Sequence, residues 1–224
     1  MAARRVGDSF GGYRAKLVEE LRRKGIGDLA VLRAFSEVPR HVFVPEALRN
    51  SAYQDTSLPV GNAQTISQPS THAKYLETLG LKGPERVLEV GTGTGYQTAL
   101  LAFIVTPMVV SIERIPALAT QARAALTAAG VADRVNVVTG DGTRGWKPSA
   151  PYDAILVAAA GPEIPPPLVA QLAEGGRLII PVGGSGEAQR LICVTKRGTG
   201  TTQEDLGAAN FVPLVGRHGR KPDA

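Results

Sequence analysis

Cysteine is almost missing from this chain. Cys193 stands alone, so no disulfide can close within the chain and no cysteine cluster can hold a metal. It lies in the apolar run Leu191-Ile192-Cys193-Val194 and reads as a core thiol. Histidine is scarce too: His41, His72 and His218 share no short metal-binding spacing, and no metal is expected. No apolar run approaches the ~20 residues that cross a bilayer. Arg4 and Arg5 have no apolar stretch behind them, so a secretory leader is not expected and the cytosol is the expected address. Runs of one charge are lacking as well. The net charge is +5, from 25 Lys and Arg against 20 Asp and Glu. These residues are scattered except in the tail Arg217-His218-Gly219-Arg220-Lys221. That pattern reads as a solvated basic surface and argues against nucleic acid and membrane as partners.

What is present is core-forming material, 43% of 224 residues, enough for one domain. Residues 1–79 read as a helical cap and loop, 80–216 as the main core, and 217–224 as a basic tail. In the cap, Tyr13, Leu17, Val18 and Leu21 share one helical face between Tyr13 and Lys24. Asp28 caps a second helix carrying Leu29, Val31, Leu32 and Phe35. Ser51 to Pro69 shows little periodicity and reads as a long polar loop of the kind that carries function. A third helix is expected from about Ser70 to Leu79. Beyond it strands alternate with helices: strands at Arg86–Val90, Met108–Glu113, Val135–Thr139 and Ala154–Ala158, and helices at Tyr96–Val105, Pro116–Ala129 and Pro165–Ala173. Further strands are expected at Arg177–Pro181, Leu191–Thr195 and Phe211–Val215. The pattern predicts an α/β fold with a mostly parallel, doubly wound, Rossmann-like sheet. The closing strands have no helix between them, which allows an antiparallel member.

Val87-Leu88-Glu89-Val90 leads into Gly91-Thr92-Gly93-Thr94-Gly95-Tyr96, a strand, a glycine turn and a helix start. Such a turn lets a ligand lie against the backbone at a helix N-terminus. A dinucleotide fingerprint, G-x-G-x-x-G, would put its third glycine where Tyr96 stands. The loop reads G-x-G-x-G instead. A large side chain there hinders a pyrophosphate but not S-adenosylmethionine, which has none. Glu113 ends the second core strand, where an acid can accept both ribose hydroxyls. Asp141 ends the third, where it can accept from an adenine amino group, and Gly142 leaves room for the ring. Taken singly, Asp141-Gly142 is also an ordinary turn.

These residues, with others, carry a resemblance. The chain resembles the protein-L-isoaspartate O-methyltransferase family over almost its whole length. The resemblance rests on Val38-Pro39-Arg40-His41-Val42-Phe43-Val44-Pro45, Ala52-Tyr53-Gln54-Asp55, Leu58-Pro59-Val60-Gly61 and Gln64-Thr65-Ile66-Ser67-Gln68-Pro69. It continues through Val87–Gln97, Gly140–Trp146, Gly175–Gly183 and Phe211-Val212-Pro213-Leu214. Thr-Ile-Ser-x-Pro is the specific element, absent from methyltransferases in general. The resemblance implies a Rossmann-like S-adenosylmethionine-dependent fold with an N-terminal helical cap. It implies methyl transfer to the α-carboxyl of L-isoaspartyl residues in damaged peptides and proteins, repaired through a succinimide.

Residue by residue, the resemblance implies Ser67 as the catalytic serine. It implies cofactor contacts at Gln64, Thr65, Ile66, Ser67, Gly91, Gly93, Thr94, Gly95, Glu113, Arg114, Asp141 and Gly142. His72 matches a histidine that some members place near the cofactor and others replace by an apolar residue. The attacking group would be a carboxylate, ionised at neutral pH, so Ser67 is expected to orient it and not to act as a nucleophile. On spacing alone, Ser67 could equally cap the following helix. Ser70 departs from the aromatic residue common after Gln-Pro in bacterial members, which bears on the substrate lip.

A nicotinamide dehydrogenase is disfavoured by Tyr96. A nucleic-acid base methyltransferase is disfavoured because Ala158-Ala159-Ala160-Gly161 replaces its Asn/Asp-Pro-Pro-aromatic element. A non-enzymatic binding module on the same fold would be excluded by methyl transfer. A relative that methylates Asp in one dedicated biosynthetic peptide would carry the same motifs.

Overall fold

The computed structural model describes residues 9–61, 64–184 and 188–221; Arg4, Arg5 and the last residues of the basic tail lie outside them. The cap begins with helices α1 (Gly11–Arg23) and α2 (Leu29–Glu37). Asp28 caps α2 as expected, its carboxylate accepting from the amides of Ala30 and Val31 at 2.8 and 3.1 Å. Two 3-10 turns, Arg40–Phe43 and Glu46–Ser51, lead into the segment expected to be irregular. That segment instead contains a hairpin of β1 (Leu58–Gly61) and β2 (Gln64–Ile66), with Leu58 opposite Ile66. Both strands are too short to show a period of two. Helix α3 (Pro69–Leu79) follows directly, opened by proline at its first position, where no amide is needed, and closed by Gly80 in the left-handed region.

The core alternates β3 (Val87–Val90), α4 (Tyr96–Ile104), β4 (Val109–Glu113), α5 (Pro116–Ala128), β5 (Val135–Thr139) and β6 (Tyr152–Val157). It closes with the short helix α6 (Pro166–Ala170) and strands β7 (Leu172–Val182), β8 (Gln189–Arg197) and β9 (Gly200–Ala209). The seven strands pair in the order β5-β4-β3-β6-β7-β8-β9. Pairs from β5 to β7 are parallel; β8 and β9 are antiparallel. β3 and β4 are buried along their whole length, as strands covered on both faces must be. One hydrophobic cluster joins the cap helices, α3 and α4 to one face of the sheet; a second fills the opposite face around Leu88, Val110, Ile155 and Leu178. The strand order reverses between β3 and β6, which opens a crevice at their C-terminal ends.

Further expectations fail. The helix expected over Pro165–Ala173 stops at Ala170, because Leu172 is already paired with Tyr152 of β6. Phe211–Val215 is not a strand. Among the described residues its backbone pairs toward the sheet only in one bridge, Ala160 to Pro213, and proline has no amide with which to extend a ladder. The final strand is β9, an exposed edge whose polar run Thr201-Thr202-Gln203-Glu204-Asp205 lacks the apolar alternation that marks a strand.

Candidate active site

A cleft of about 710 Å³ lies at the C-terminal ends of β3 and β4. Its walls are Gln64 to Ser67 and His72 on one side, Gly91 to Thr94 and Gln97 on the floor, and Glu113 to Ile115, Gly142, Ala158, Ala159 and Val212 to Val215 beyond. Arg220 and Lys221 close the rim.

The glycine turn leaves β3 through Gly91 and Gly93, both in the left-handed region. A side chain on Gly91 would meet Ala158, and one on Gly93 would meet open space, into which a ligand can come close to the backbone. Glu113 is 5% exposed. Its Oε2 accepts from the Gly93 amide and its Oε1 from the Ile115 amide, both at 2.9 Å. The carboxylate is thereby fixed, with lone pairs remaining for two further donors. Beneath the turn, Thr92 and Ser111 hydroxyls meet at 2.5 Å, and Ser111 donates to Glu89 Oε2 at 2.6 Å. Thr98 donates to the same oxygen, while Glu89 Oε1 has no partner. Burial pushes the Glu89 carboxyl up to about 7, against the hydrogen bonds from Ser111 and Thr98.

Of the residues singled out from sequence, Gln64, Thr65, Ile66, Ser67, His72, Gly91, Gly93, Thr94, Glu113, Arg114 and Gly142 all line this cleft. Gly95 and Asp141 do not. Gly95 begins α4 at φ 88°, and a side chain there would sit 3.3 Å from Leu126 and 3.5 Å from Ala122, so it serves the packing of α4 on α5. The Asp141 carboxylate faces the protein. Oδ1 accepts from the Thr143 amide and hydroxyl at 2.9 and 2.7 Å, and Oδ2 from the Arg217 amide at 2.8 Å. Burial alone would raise its pKa, but the bonds from Arg217 and Thr143 outweigh it and hold the group below the ordinary carboxylate range.

Asp141 therefore fastens the expected basic tail to the sheet. The chain turns back after Leu214, with the Arg220 amide donating to the Leu214 carbonyl at 2.7 Å and the Arg220 guanidinium to the Gly183 carbonyl at 3.1 Å. Arg220 and Lys221 thus reach the cleft, which a reading of the tail as solvated surface missed. Gln97, the second residue of α4, was not singled out either. It lines the cleft and accepts from His72 Nδ1 through Oε1. His72 Nε2 and Gln97 Nε2 make no hydrogen bond. Burial, and then the nearby Arg40 cation, hold the His72 pKa down at about 3. Ser67 is not a helix cap: Gln68 occupies that position, and α3 has no side-chain cap. The Ser67 hydroxyl has no partner among the described residues, whereas its carbonyl accepts from Arg40 at 2.8 Å.

The cleft suits S-adenosylmethionine. The glycine backbone is open, Glu113 is fixed at a strand end with spare acceptor capacity, and buried polar atoms on His72 and Gln97 lack partners. Gly142 abuts Val90 so closely that a side chain there would fall 2.4 Å from it. Among the described residues, no group of three or more His, Cys, Asp or Glu gathers to hold a metal ion.

The sequence profile of the protein-L-isoaspartate(D-aspartate) O-methyltransferase family matches residues 13–219. The chain belongs to that family. It is similar to a protein-L-isoaspartate O-methyltransferase of Methanoculleus marisnigri, 51% identical over 92% of this chain and 93% of the relative. It is also similar to one of Aeropyrum pernix, 46% identical over 98% and 85%. A solved protein-L-isoaspartate O-methyltransferase superposes with a TM-score of 0.84 at 31% identity, covering 92% of this chain and 67% of that one. A Plasmodium falciparum protein described as the same enzyme, solved with S-adenosyl-L-homocysteine, superposes at 0.80 and 28% identity over 91% and 98%. The Rossmann-like methyltransferase fold expected from sequence is therefore established, and family membership brings the cofactor and the reaction class with it.

Proposed function

We propose that this chain transfers a methyl group from S-adenosylmethionine to the α-carboxyl of L-isoaspartyl residues in damaged proteins and peptides, which starts their repair through a succinimide. The observation that carries this is the placing of Ser67, with its free hydroxyl and in the family's own Thr65–Pro69 segment, in one cleft with the glycine turn and Glu113. When bound, the cofactor supplies an electrophilic methyl on a sulfonium. The residues of the chain do the rest. Glu113 and the glycine turn orient the cofactor, and Ile66, Ala158 and Val212 to Leu214 exclude water. Ser67 holds the incoming carboxylate by a hydrogen bond. That carboxylate is ionised at neutral pH and needs no base. The neighbouring His72 is neutral and, with a pKa of about 3, too weak a base to activate a hydroxyl. Alignment and dehydration of two opposite charges that cancel on reaction supply the acceleration.

The proposed setting is the cytosol and the proposed partners are isoaspartyl polypeptides, with neither nucleic acid nor membrane. Among the described residues no helix is long and apolar enough to cross a membrane. The test is methyl transfer from labelled cofactor to paired peptides that differ only in L-isoaspartate or L-aspartate. Transfer confined to the isoaspartyl member is the expected result. Equal or reversed labelling would overturn the reading and favour a carboxyl methyltransferase dedicated to an Asp-containing peptide.

A further inference from the structure

Arg40 has no part in the reaction as described, yet its surroundings call for an explanation. The residue is 0% exposed. Its Nη2 donates to the Ser67 carbonyl at 2.8 Å, and its guanidinium carbon stands 4.7 Å from the centre of the Tyr96 ring. Nε and Nη1 make no hydrogen bond. Among the described residues no carboxylate forms an ion pair with it. Asp55, whose field reaches Arg40, is taken up by Lys24 and by the Ser70 amide. One carbonyl and one aromatic face are poor compensation for stripping water from a cation, and a buried charge left unpaired destabilises a fold. An apolar side chain would fill this space at less cost. The charge itself must therefore have a use.

Its position shows the use. Arg40 sits directly behind Ser67, at the point where the eleven-residue helix α3 begins and points the positive end of its dipole. Two positive sources thus converge behind Ser67, whose hydroxyl has no partner among the described residues. We propose that Arg40 is the positioning residue for the substrate carboxylate: through the Ser67 carbonyl it fixes the serine, and its charge draws the anion into the cleft. This rests on the reading of Ser67 as the group that meets the isoaspartyl carboxylate.

The reaction's charge balance says where the effect will be seen. A carboxylate oxygen forms a bond to the methyl carbon as the carbon–sulfur bond breaks; the pair of charges becomes a neutral ester and a neutral thioether. Attraction between Arg40 and the carboxylate is therefore greatest before reaction and fades toward the transition state. The part of such an interaction that survives into the transition state lowers KM alone, and the part that fades lowers KM at some expense of kcat, so losing the charge raises KM and does not of itself lower kcat. The same field opposes the cationic cofactor relative to its neutral product, S-adenosyl-L-homocysteine. Removing Arg40 should shift the ratio of their affinities toward the cofactor.

The experiment compares wild type, Arg40→Met and Arg40→Lys, each checked for folding by thermal unfolding. Steady-state kinetics use an L-isoaspartyl peptide at saturating cofactor, and calorimetry measures the Kd of cofactor and product separately. Arg40→Met should raise the peptide KM roughly tenfold or more, the scale of one hydrogen-bonded charge, with a smaller change in kcat. Its cofactor-to-product affinity ratio should move several-fold toward the cofactor. Arg40→Lys should restore much of both. A folded Arg40→Met with unchanged KM and unchanged affinity ratio overturns the proposal. So does a KM defect that Arg40→Lys leaves uncorrected while the ratio stays fixed, since that is the mark of lost packing. Should Arg40→Met fail to fold, Arg40→Lys decides alone: near-wild-type KM and ratio support the charge, and a large KM rise overturns it. Failure of the wild type to methylate any isoaspartyl peptide would instead remove the functional reading, a result distinct from active wild type with indifferent variants.

Discussion

Replacing Glu89 by glutamine tests the polar layer beneath the glycine turn. The side chain is fully buried, with both hydrogen bonds entering Oε2 and none at Oε1. Glutamine keeps the shape and can accept both bonds through its own Oε1, but it carries no charge. The native carboxyl titrates near 7 in the fold against an ordinary 4.5, chiefly because burial penalises its charged form. The folded state thus binds this proton more tightly than the unfolded chain does. The stability it contributes is complete below pH 4.5 and is lost as pH rises toward 7. Between pH 5 and 8 the wild type should lose about 2 kcal/mol relative to Glu89→Gln. His72 has the opposite slope, being a base with a depressed pKa, but it is present in both proteins and cancels in the difference. In this size range that loss is roughly 4–8 °C in Tm. Denaturant unfolding of both proteins at pH 5, 6, 7 and 8 measures it. A stability difference independent of pH would show that Glu89 titrates normally and would refute the account of the layer.

Glu113→Ala should weaken binding of S-adenosyl-L-homocysteine by about 1–3 kcal/mol, the cost of losing a buried acceptor, and should slow turnover less at saturation; calorimetry beside saturation kinetics checks this, and an unchanged Kd removes Glu113 from the site. Ser67→Ala should cut turnover on an isoaspartyl peptide by up to about 100-fold, as expected for a misplaced reactant, with cofactor Kd nearly unchanged. Turnover equal to wild type would leave Ser67 without a role, and complete loss of cofactor binding would mark it as a support of the loop. Gly216→Ala should loosen the strap that carries Val215 and Arg220 to the cleft, because the new methyl would lie 2.1 Å from Asp141 Oδ1. Weaker product binding, read by calorimetry, is the expected outcome, and an unaltered Kd would show that the strap tolerates the change.

The legible parts of this fold were those in which one local cause decides the structure. Asp28 caps α2 because its carboxylate has two free amides to accept from, and Gly91 and Gly93 turn because only glycine is at ease there. The buried strands β3 and β4 showed as short, mostly apolar runs. What failed depended on partners remote in sequence. The β1–β2 hairpin is held by register between strands too short to show one, and β9 is a strand because β8 offers it an edge. Pro165–Ala173 looked helical until Tyr152 claimed Leu172. The site divides in the same way. Glu113 and Gly142 were placed by strand ends, and both line the cleft. Asp141 stands at the strand end where it was expected, and what the sequence did not show is that its carboxylate also accepts from Arg217 and Thr143. A signal for that contact was present in Gly216, which a reading of the tail as solvent-facing had no reason to use.

The electrostatics of the cleft fit a reaction in which opposite charges meet and vanish. His72, the histidine beside Ser67, is kept neutral by burial and by Arg40, so it neither repels a sulfonium nor serves as a base. A cation and an anion cannot be held by oil-like walls alone, and here each sign has its own support: Arg40 and the start of α3 stand behind Ser67, whereas Glu113 stands across the glycine turn. A protease-like site would need the reverse, a competent base within reach of the hydroxyl and donors aimed at a developing oxyanion. Arg40 spends its one well-formed hydrogen bond on the Ser67 carbonyl and has no lone pair for a proton, and His72, donating from Nδ1 to Gln97, keeps only an Nε2 whose pKa of about 3 makes it too weak a base for Ser67. The arrangement leaves the serine as a neutral donor to an anion that arrives already ionised, and that role requires its geometry to be rigid and its pKa to be ordinary.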